Sequence, residues 1–174
     1  MIEGQIIVDP DMEIAIISDT HLPRGTRALP EACLKHLQTA DLIIHAGDFV
    51  TLDVLEELRA IGPVIGVHGN VDNAAVRAAL PATTIVPVKD HRLAVIHDAG
   101  PAPRRLQRMR VRFPTADAVI FGHSHIPLRE RAPDGFQIFN PGSPTDRRRQ
   151  PRHTMGRCLL HGGRLEFELI DLAP

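Results

Sequence analysis

The sequence predicts one α/β domain, a sandwich built on mixed sheets, and three observations predict it. A chain of 174 residues, 43% of them apolar, has the length and composition of a single domain with one sizeable core. Short, continuously apolar runs alternate with helical patterns as far as Gly122, which is the signature of strands buried on both faces. Beyond Gly122 the pattern changes to short strands, turns and a closing hairpin. Parallel and antiparallel pairing therefore mix in one domain, expected to span residues 1–174.

The apolar runs are residues 14–17, 42–44, 64–67, 93–96 and 118–121. Each is too short for a helix and too continuously apolar for a half-exposed strand. Between them, residues 30–38 carry Pro30 in the first turn with Leu34 and Leu37 on one face. Thr51 is placed to cap residues 52–60, and Gly62-Pro63 ends that helix. Residues 73–80 and 103–111 are weaker helical patterns. Short strands follow at 127–131 and 137–139 around the turn Pro133-Asp134-Gly135. The final hairpin pairs 158–160 with 165–169 through Gly162-Gly163, a favoured two-residue turn. Residues 141–153, with Arg147, Arg148 and Arg149, form the one long irregular stretch, and such loops are often functional.

Composition removes several classes of function. No apolar run reaches the 18 residues of a membrane span, and Glu3, Asp9 and Asp11 stand where a signal peptide needs basic then apolar residues. A cytoplasmic protein with no membrane partner is expected. A formal charge of −1 supplies no general attraction for nucleic acid, and the absence of Trp and Tyr beside six Phe leaves little for stacking bases. Cys33 and Cys158 lie in no CxxC and read as buried small hydrophobes. Oligomeric state is left open, a homo-oligomer included.

All five apolar runs lead into groups that bind metals. Asp19 and His21 follow the first, His45 and Asp48 the second, His68 and Asn70 the third, His97 and Asp98 the fourth, His123 and His125 the fifth. The carboxyl ends of strands in an open α/β sheet converge on one crevice, so residues more than 100 positions apart can meet. Asp19/His21 and His123/His125 are i, i+2 pairs, which face the same way on extended chain. Gly47, Gly69 and Gly122 precede candidate ligands where the backbone must turn sharply without a Cβ in the way. Carboxylate, amide and imidazole donors without thiolate suit manganese, iron or zinc. Seven groups, Asp19, His21, Asp48, Asn70, His97, His123 and His125, are too many for one ion with an open position. With Asp48 bridging, two ions about 3.5 to 4 Å apart hold a hydroxide and clamp an in-line displacement. The neutral Asn70 keeps such a cluster positive, and a small phosphate ester is the substrate that charge attracts.

In order, the D-x-H of Asp19 and His21, the GD of Gly47 and Asp48, the GN-x-D of Gly69, Asn70 and Asp72, the lone His97 and the GHSH of residues 122–125 resemble the calcineurin-like metallophosphoesterases. Compact length and the NPGS of residues 140–143 more specifically resemble the small bacterial and archaeal phosphodiesterases, whose fold a retromer subunit shares. The resemblance implies a four-layer α/β/β/α sandwich of two mixed sheets flanked by helices. It further implies one divalent ion held by Asp19, His21, Asp48 and His125 and a second held by Asp48, Asn70, His97 and His123. Manganese is the first expectation, with iron, zinc or nickel as alternatives. P–O hydrolysis by a metal-bridging hydroxide follows, with Asn70 touching the phosphate. A non-catalytic scaffold and a nuclease are the rival readings of this fold.

Two positions depart from the family pattern. The His that often follows the motif Asn, and protonates the leaving group, is Val71 here, which implies a diesterase working best on activated esters. After His97 the chain reads Asp98-Ala99-Gly100 rather than Gly-His. His68 is a candidate for the missing proton or a supporting residue, and His45 reads as a buried, hydrogen-bonded histidine. His36, His91, His153 and His161 read as surface or strand-edge residues. Asp72 reads as an acceptor that orients a metal-bound histidine, as a cap of the helix near Asn73, or as both. The arginines of residues 104–112 read as a solvated helix face, and those of 147–152 as candidates to hold an anionic substrate. NPGS reads as a turn at the rim of the site. Ser124 is no nucleophile elbow, because Ile126 follows GHSH where that motif needs Gly.

Overall fold

A computed structural model describes residues 11–172 of the chain; Glu3 and Asp9 of the acidic N-terminal stretch lie outside them. All five apolar runs are strands: β1 (Met12–Ile17), β2 (Leu42–His45), β3 (Val64–Gly66), β5 (His91–Ile96) and β6 (Ala118–Ile120). The helices are α1 (Glu31–Thr39), α2 (Leu52–Ile61), α3 (Ala74–Ala79) and α4 (Arg105–Arg112), followed at the C-terminal end by β7 (Leu128–Arg131), β8 (Gln137–Asn140), β9 (His153–His161) and β10 (Arg164–Leu172). One strand escapes the sequence reading, β4 (Thr83–Val88). Only alternate residues of it are buried, and it lies at a sheet edge, where Pro87 is tolerated because its missing N–H costs no ladder bond.

Two five-stranded mixed sheets result, ordered β10-β9-β1-β2-β3 and β4-β5-β6-β8-β7. The runs β1-β2-β3 and β5-β6-β8 are parallel, and the remaining pairs are antiparallel. The predicted hairpin is β9 with β10, His161 opposite Arg164 across Gly162 and Gly163, both at positive φ. Continuous apolarity has its cause in the layers. Ile14 and Ile16 of β1, with Leu93 and Val95 of β5 and Ala118 and Ile120 of β6, pack between the sheets. Ala15 and Ile17 face α1, α2 and α3 on one outer side, with Cys33, Leu55 and Val76. Ala94, Ile96 and Val119 face α4 on the other. The order is thus α/β/β/α. Cys33 and Cys158 are fully buried, one in an outer cluster and one between the sheets, and burial pushes both thiols up to about 12.

Helix starts follow sequence in part. Pro30 takes the N-cap of α1 rather than its first turn. Thr51 is the N-cap of α2, yet its hydroxyl makes no capping bond and has no hydrogen-bond partner among the described residues. Asn73 does cap α3, its Oδ1 accepting from the Val76 N–H at 3.0 Å. Among the described residues no helix is long and apolar enough to cross a membrane.

Candidate metal centre

The loops leaving β1, β2, β3, β5 and β6 meet at one end of the sandwich, in the seam between the sheets. The pairs Asp19/His21 and His123/His125 do not lie on extended chain as the spacing suggested. All four residues, and Asp48, occupy the left-handed region, with φ of 55, 47, 68, 59 and 63°. Such conformations cost about 1–2 kcal/mol per non-glycine residue, and they cluster where surrounding structure over-determines them. Here the constraint is hydrogen bonding. The Asp19 N–H donates to Gly47 O at 2.9 Å and the His21 N–H to Asp48 O at 3.1 Å. Ser143 Oγ donates to Asp19 O at 2.8 Å and Thr145 Oγ1 to Thr20 O at 2.6 Å.

The predicted ligands gather into two adjoining groups. In the first, His125 Nε2 lies 3.3 Å from Asp19 Oδ1, and His21 Nε2 lies 3.8 Å from the same oxygen. In the second, Asn70 Oδ1 lies 3.0 Å from both His97 Nε2 and His123 Nδ1. Asp48 joins them: its Oδ2 is 3.4 Å from His21 Nε2 and 3.3 Å from His97 Nε2. Asp19, His21, Asp48, His97 and His125 are buried, whereas Asn70 and His123 are exposed at the mouth.

These atoms fit divalent cations on their own chemistry. The Nε2 atoms of His21 and His125 are buried with no hydrogen-bond partner among the described residues, an arrangement that costs free energy unless something binds there. The ligand atoms of Asp19, His21 and His125, and likewise those of Asp19, Asp48 and His97, lie within 4.8 Å of one another. Outer partners hold the rings in the tautomer a metal requires. His125 Nδ1–H donates to Asp146 O at 2.5 Å and His97 Nδ1–H to Ala46 O at 2.8 Å, which turns each Nε2 inward.

Without metal the cluster neutralises itself. The carboxylates of Asp19 and Asp48 beside its Nε2 raise His21 from 6.5 to about 9. Burial opposes ionisation of Asp48 but is outweighed by His21 and His97, which hold its carboxyl well below the usual range. Burial likewise opposes charging of His97, and Asp48 overrides it and raises the ring; His125, where burial prevails, is lowered. The His21 charge therefore stabilises the metal-depleted fold fully below 6.5 and fades as pH rises through about 9. Because a cation must displace that proton, zinc or manganese affinity is expected to climb as pH rises toward 9, with protons released on binding. Calorimetry in two buffers of different ionisation enthalpy reads the release; pH-independent affinity between 6.5 and 9 would contradict it.

Asp72 performs neither predicted task. Its buried carboxylate accepts three backbone N–H groups, from Asp48 at 3.1 Å, Gly69 at 2.6 Å and Val50 at 2.7 Å, and so ties the Asp48 loop to the Asn70 loop. Asp72→Ala is expected to lower metal affinity by about 10–100-fold, as loss of an outer hydrogen-bond partner typically does, measured by zinc titration of the depleted protein. Gly69 and Gly122 are required for close approach rather than for turning. A Cβ at 69 would stand 2.0 Å from Asp48 Oδ1, and one at 122 would stand 1.9 Å from Ser18 Oγ.

His45 is the buried, hydrogen-bonded histidine the sequence suggests, whereas several of the other residues lie elsewhere. His45 is fully buried, stacked on Phe49, accepting from the Gly47 N–H at Nδ1 and reaching Thr20 Oγ1 from Nε2. Burial, aided by His97, drives its pKa down to about 3. His68 is half-buried with Nδ1 3.4 Å from Gly69 O. Asp98 turns away to accept from the Gly100 N–H. The NPGS segment is no rim turn: Asn140 and Ser143 are buried, and Asn140 Nδ2 donates to Gly122 O beneath the GHSH loop. Nor is the arginine face of α4 merely solvated. Arg105 and Arg108 donate to carbonyls of residues 99–103, and Arg110 pairs with Asp134 at 2.9 Å. Arg147 folds back on Gln150 O and Arg152 lies 3.7 Å from Asp171. Of the remaining histidines, His36, His91 and His153 are half-buried and His161 is exposed.

Fold and site together define a metallophosphoesterase. The chain belongs to the calcineurin-like phosphoesterase superfamily, whose domain matches residues 12–162. It is 34% identical over 166 residues to a probable metallophosphoesterase of Methanothermobacter thermautotrophicus, covering 91% of this chain and 92% of that one. A Methanocaldococcus jannaschii protein named as a phosphodiesterase is 27% identical over 145 residues, 75% of this chain and 83% of its own. The vacuolar protein sorting 29 structure from Cryptosporidium parvum superposes with a TM-score of 0.77 over 95% of this chain and 100% of that one. At 18% identity that is a likeness of fold.

Proposed function

We propose that the protein is a phosphodiesterase dependent on two divalent ions, acting as one cytoplasmic domain on a small phosphate ester rather than on nucleic acid or membrane. The observation that carries this is Asp48 Oδ2, set between His21 Nε2 and His97 Nε2 at 3.4 and 3.3 Å. Asp19, His21, Asp48 and His125 would hold one ion, and Asp48, Asn70, His97 and His123 the other. Bound there, manganese or a similar ion would supply an activated water and offset charge on the phosphoryl oxygens.

The chain's own groups do the rest. Asn70 Oδ1 faces His97 and His123, which leaves its Nδ2 to donate to a phosphoryl oxygen as negative charge develops. The buried rings and carboxylates are fixed before substrate arrives, so little reorganisation accompanies reaction. His68, two residues from Asn70 and half-buried with Nδ1 3.4 Å from Gly69 O, is proposed to steady the Asn70 loop rather than to protonate the departing oxygen. Val71 offers no proton, so aryl esters, whose oxygen leaves readily as an anion, are expected to outrun alkyl esters by at least about tenfold, a lower bound set by the 10²–10⁴ that general acid catalysis usually contributes.

Protein reconstituted with Mn²⁺ is expected to hydrolyse bis(p-nitrophenyl) phosphate; an inactive preparation with full metal occupancy would defeat the proposal. The likeness to vacuolar protein sorting 29 favours one alternative, a non-catalytic scaffold. Metal analysis separates them: about two ions per chain, as a two-metal site requires, with turnover supports the enzyme, and none supports the scaffold.

A further inference from the structure

Four large apolar side chains are exposed among the described residues, and two of them stand beside the metal centre: Val71, 41% exposed, and Ile126, 51%. Single exposed apolar residues need no explanation, whereas apolar side chains gathered at a polar cleft mark a ligand contact. Both are held on fixed backbone. The Val71 N–H donates to Asp48 Oδ1 at 3.0 Å, which puts its Cα within about 4.5 Å of the carboxylate shared by the two groups. Ile126 directly follows His125, and its N–H donates to Ser124 Oγ, which also accepts from Asn140 Nδ2. The loops that bear them are joined by His123 Nδ1 and Asn70 Oδ1 at 3.0 Å. Arg77, on α3 just beyond the Asn70 loop, is spent on the carbonyls of Asp72 and Asn70, each at 2.8 Å. Beside the Asn70 loop the mouth therefore offers the methyl groups of Val71, with the Arg77 charge already taken up by main-chain carbonyls, to a substrate arm leaving the centre.

We infer that Val71 and Ile126 determine specificity by gripping an apolar, aromatic ester arm, and that the substrate is a diester bearing such an arm rather than a polyol or a second anionic group. This rests on the proposed phosphoesterase reading, with the phosphoryl group at the metals. The charged group sets orientation and the apolar arm supplies contact area, the usual division in small-molecule sites.

Binding of diphenyl phosphate and of dimethyl phosphate to the zinc-loaded protein, measured by calorimetry, tests it. Diphenyl phosphate is expected to bind at least about tenfold more tightly, and Val71→Ser and Ile126→Ser are each expected to weaken it by about three- to tenfold, the size of losing contact with one or two methyl groups. Dimethyl phosphate should bind all three proteins alike. Equal affinity for the two esters, or variants that weaken both equally, would overturn the inference. Steady-state kinetics on bis(p-nitrophenyl) phosphate give a second reading: the variants should raise KM and leave kcat within about twofold, because uniform binding alone is lost. A wild type that binds diphenyl phosphate selectively but turns nothing over would sink the catalytic reading alone; turnover without arm selectivity would sink only the specificity claim.

Discussion

Asp48→Ala abolishes hydrolysis, with kcat expected to fall by at least about a thousandfold, since a catalytic metal site supplies several kcal/mol of barrier reduction. The reason is geometric. Asp48 Oδ2 lies 3.4 Å from His21 Nε2 and 3.3 Å from His97 Nε2, and Oδ1 of the same carboxylate accepts the Val71 N–H that fixes the Asn70 loop. Removing it would deprive each proposed metal position of a ligand and free a loop. Metal analysis and turnover on bis(p-nitrophenyl) phosphate read the two effects together; a variant that keeps both ions and more than about a tenth of wild-type kcat would show that the carboxylate is not shared, a comparison based on tenfold per 1.36 kcal/mol.

Gly122→Ala is the second large effect, because its Cβ would stand 1.9 Å from Ser18 Oγ and 2.6 Å from Asp19 Oδ2. Ser18 Oγ donates to that same Asp19 oxygen at 2.6 Å, and the His123 N–H donates to it at 3.0 Å. The methyl therefore drives the Asp19 carboxylate off its position. Overpacking of this kind costs about 1–3 kcal/mol, which for a domain of this size lowers Tm by about 2–12 °C. The metal held by Asp19 should be lost first. Gly62→Ala serves as control, since its Cβ meets nothing within 4 Å and its φ of −175° is ordinary extended backbone. Calorimetric melting and metal content report both; equal effects at 62 and 122 would refute the steric argument.

The sequence carried the layers well where burial on two faces writes itself as unbroken apolarity, as in β1, β2, β5 and β6. It failed at β4, where Ile85 and Pro87 face outward and break the run. The candidate ligands were legible because each stands within a few residues of a strand's carboxyl end. Their supporting bonds were not. Asp72 reaches the backbone of the Asp48 loop across 24 residues, and Ser143 reaches Asp19 across 124; no spacing rule announces a carboxylate or hydroxyl whose partners are main-chain groups brought near only by the completed fold. The left-handed backbone at five candidate ligands was hidden for the same reason, since neither Asp nor His identity demands it.

Those long-range clasps order events as the chain leaves the ribosome. Asp19 precedes the groups that hold it, the amide of His123 and the hydroxyl of Ser143, by more than 100 residues, and β9, which lies beside β1, follows them both. A chain synthesised only as far as β6 thus presents scattered histidines and aspartates without a formed cradle, and the selection of an ion waits on residues 123–143.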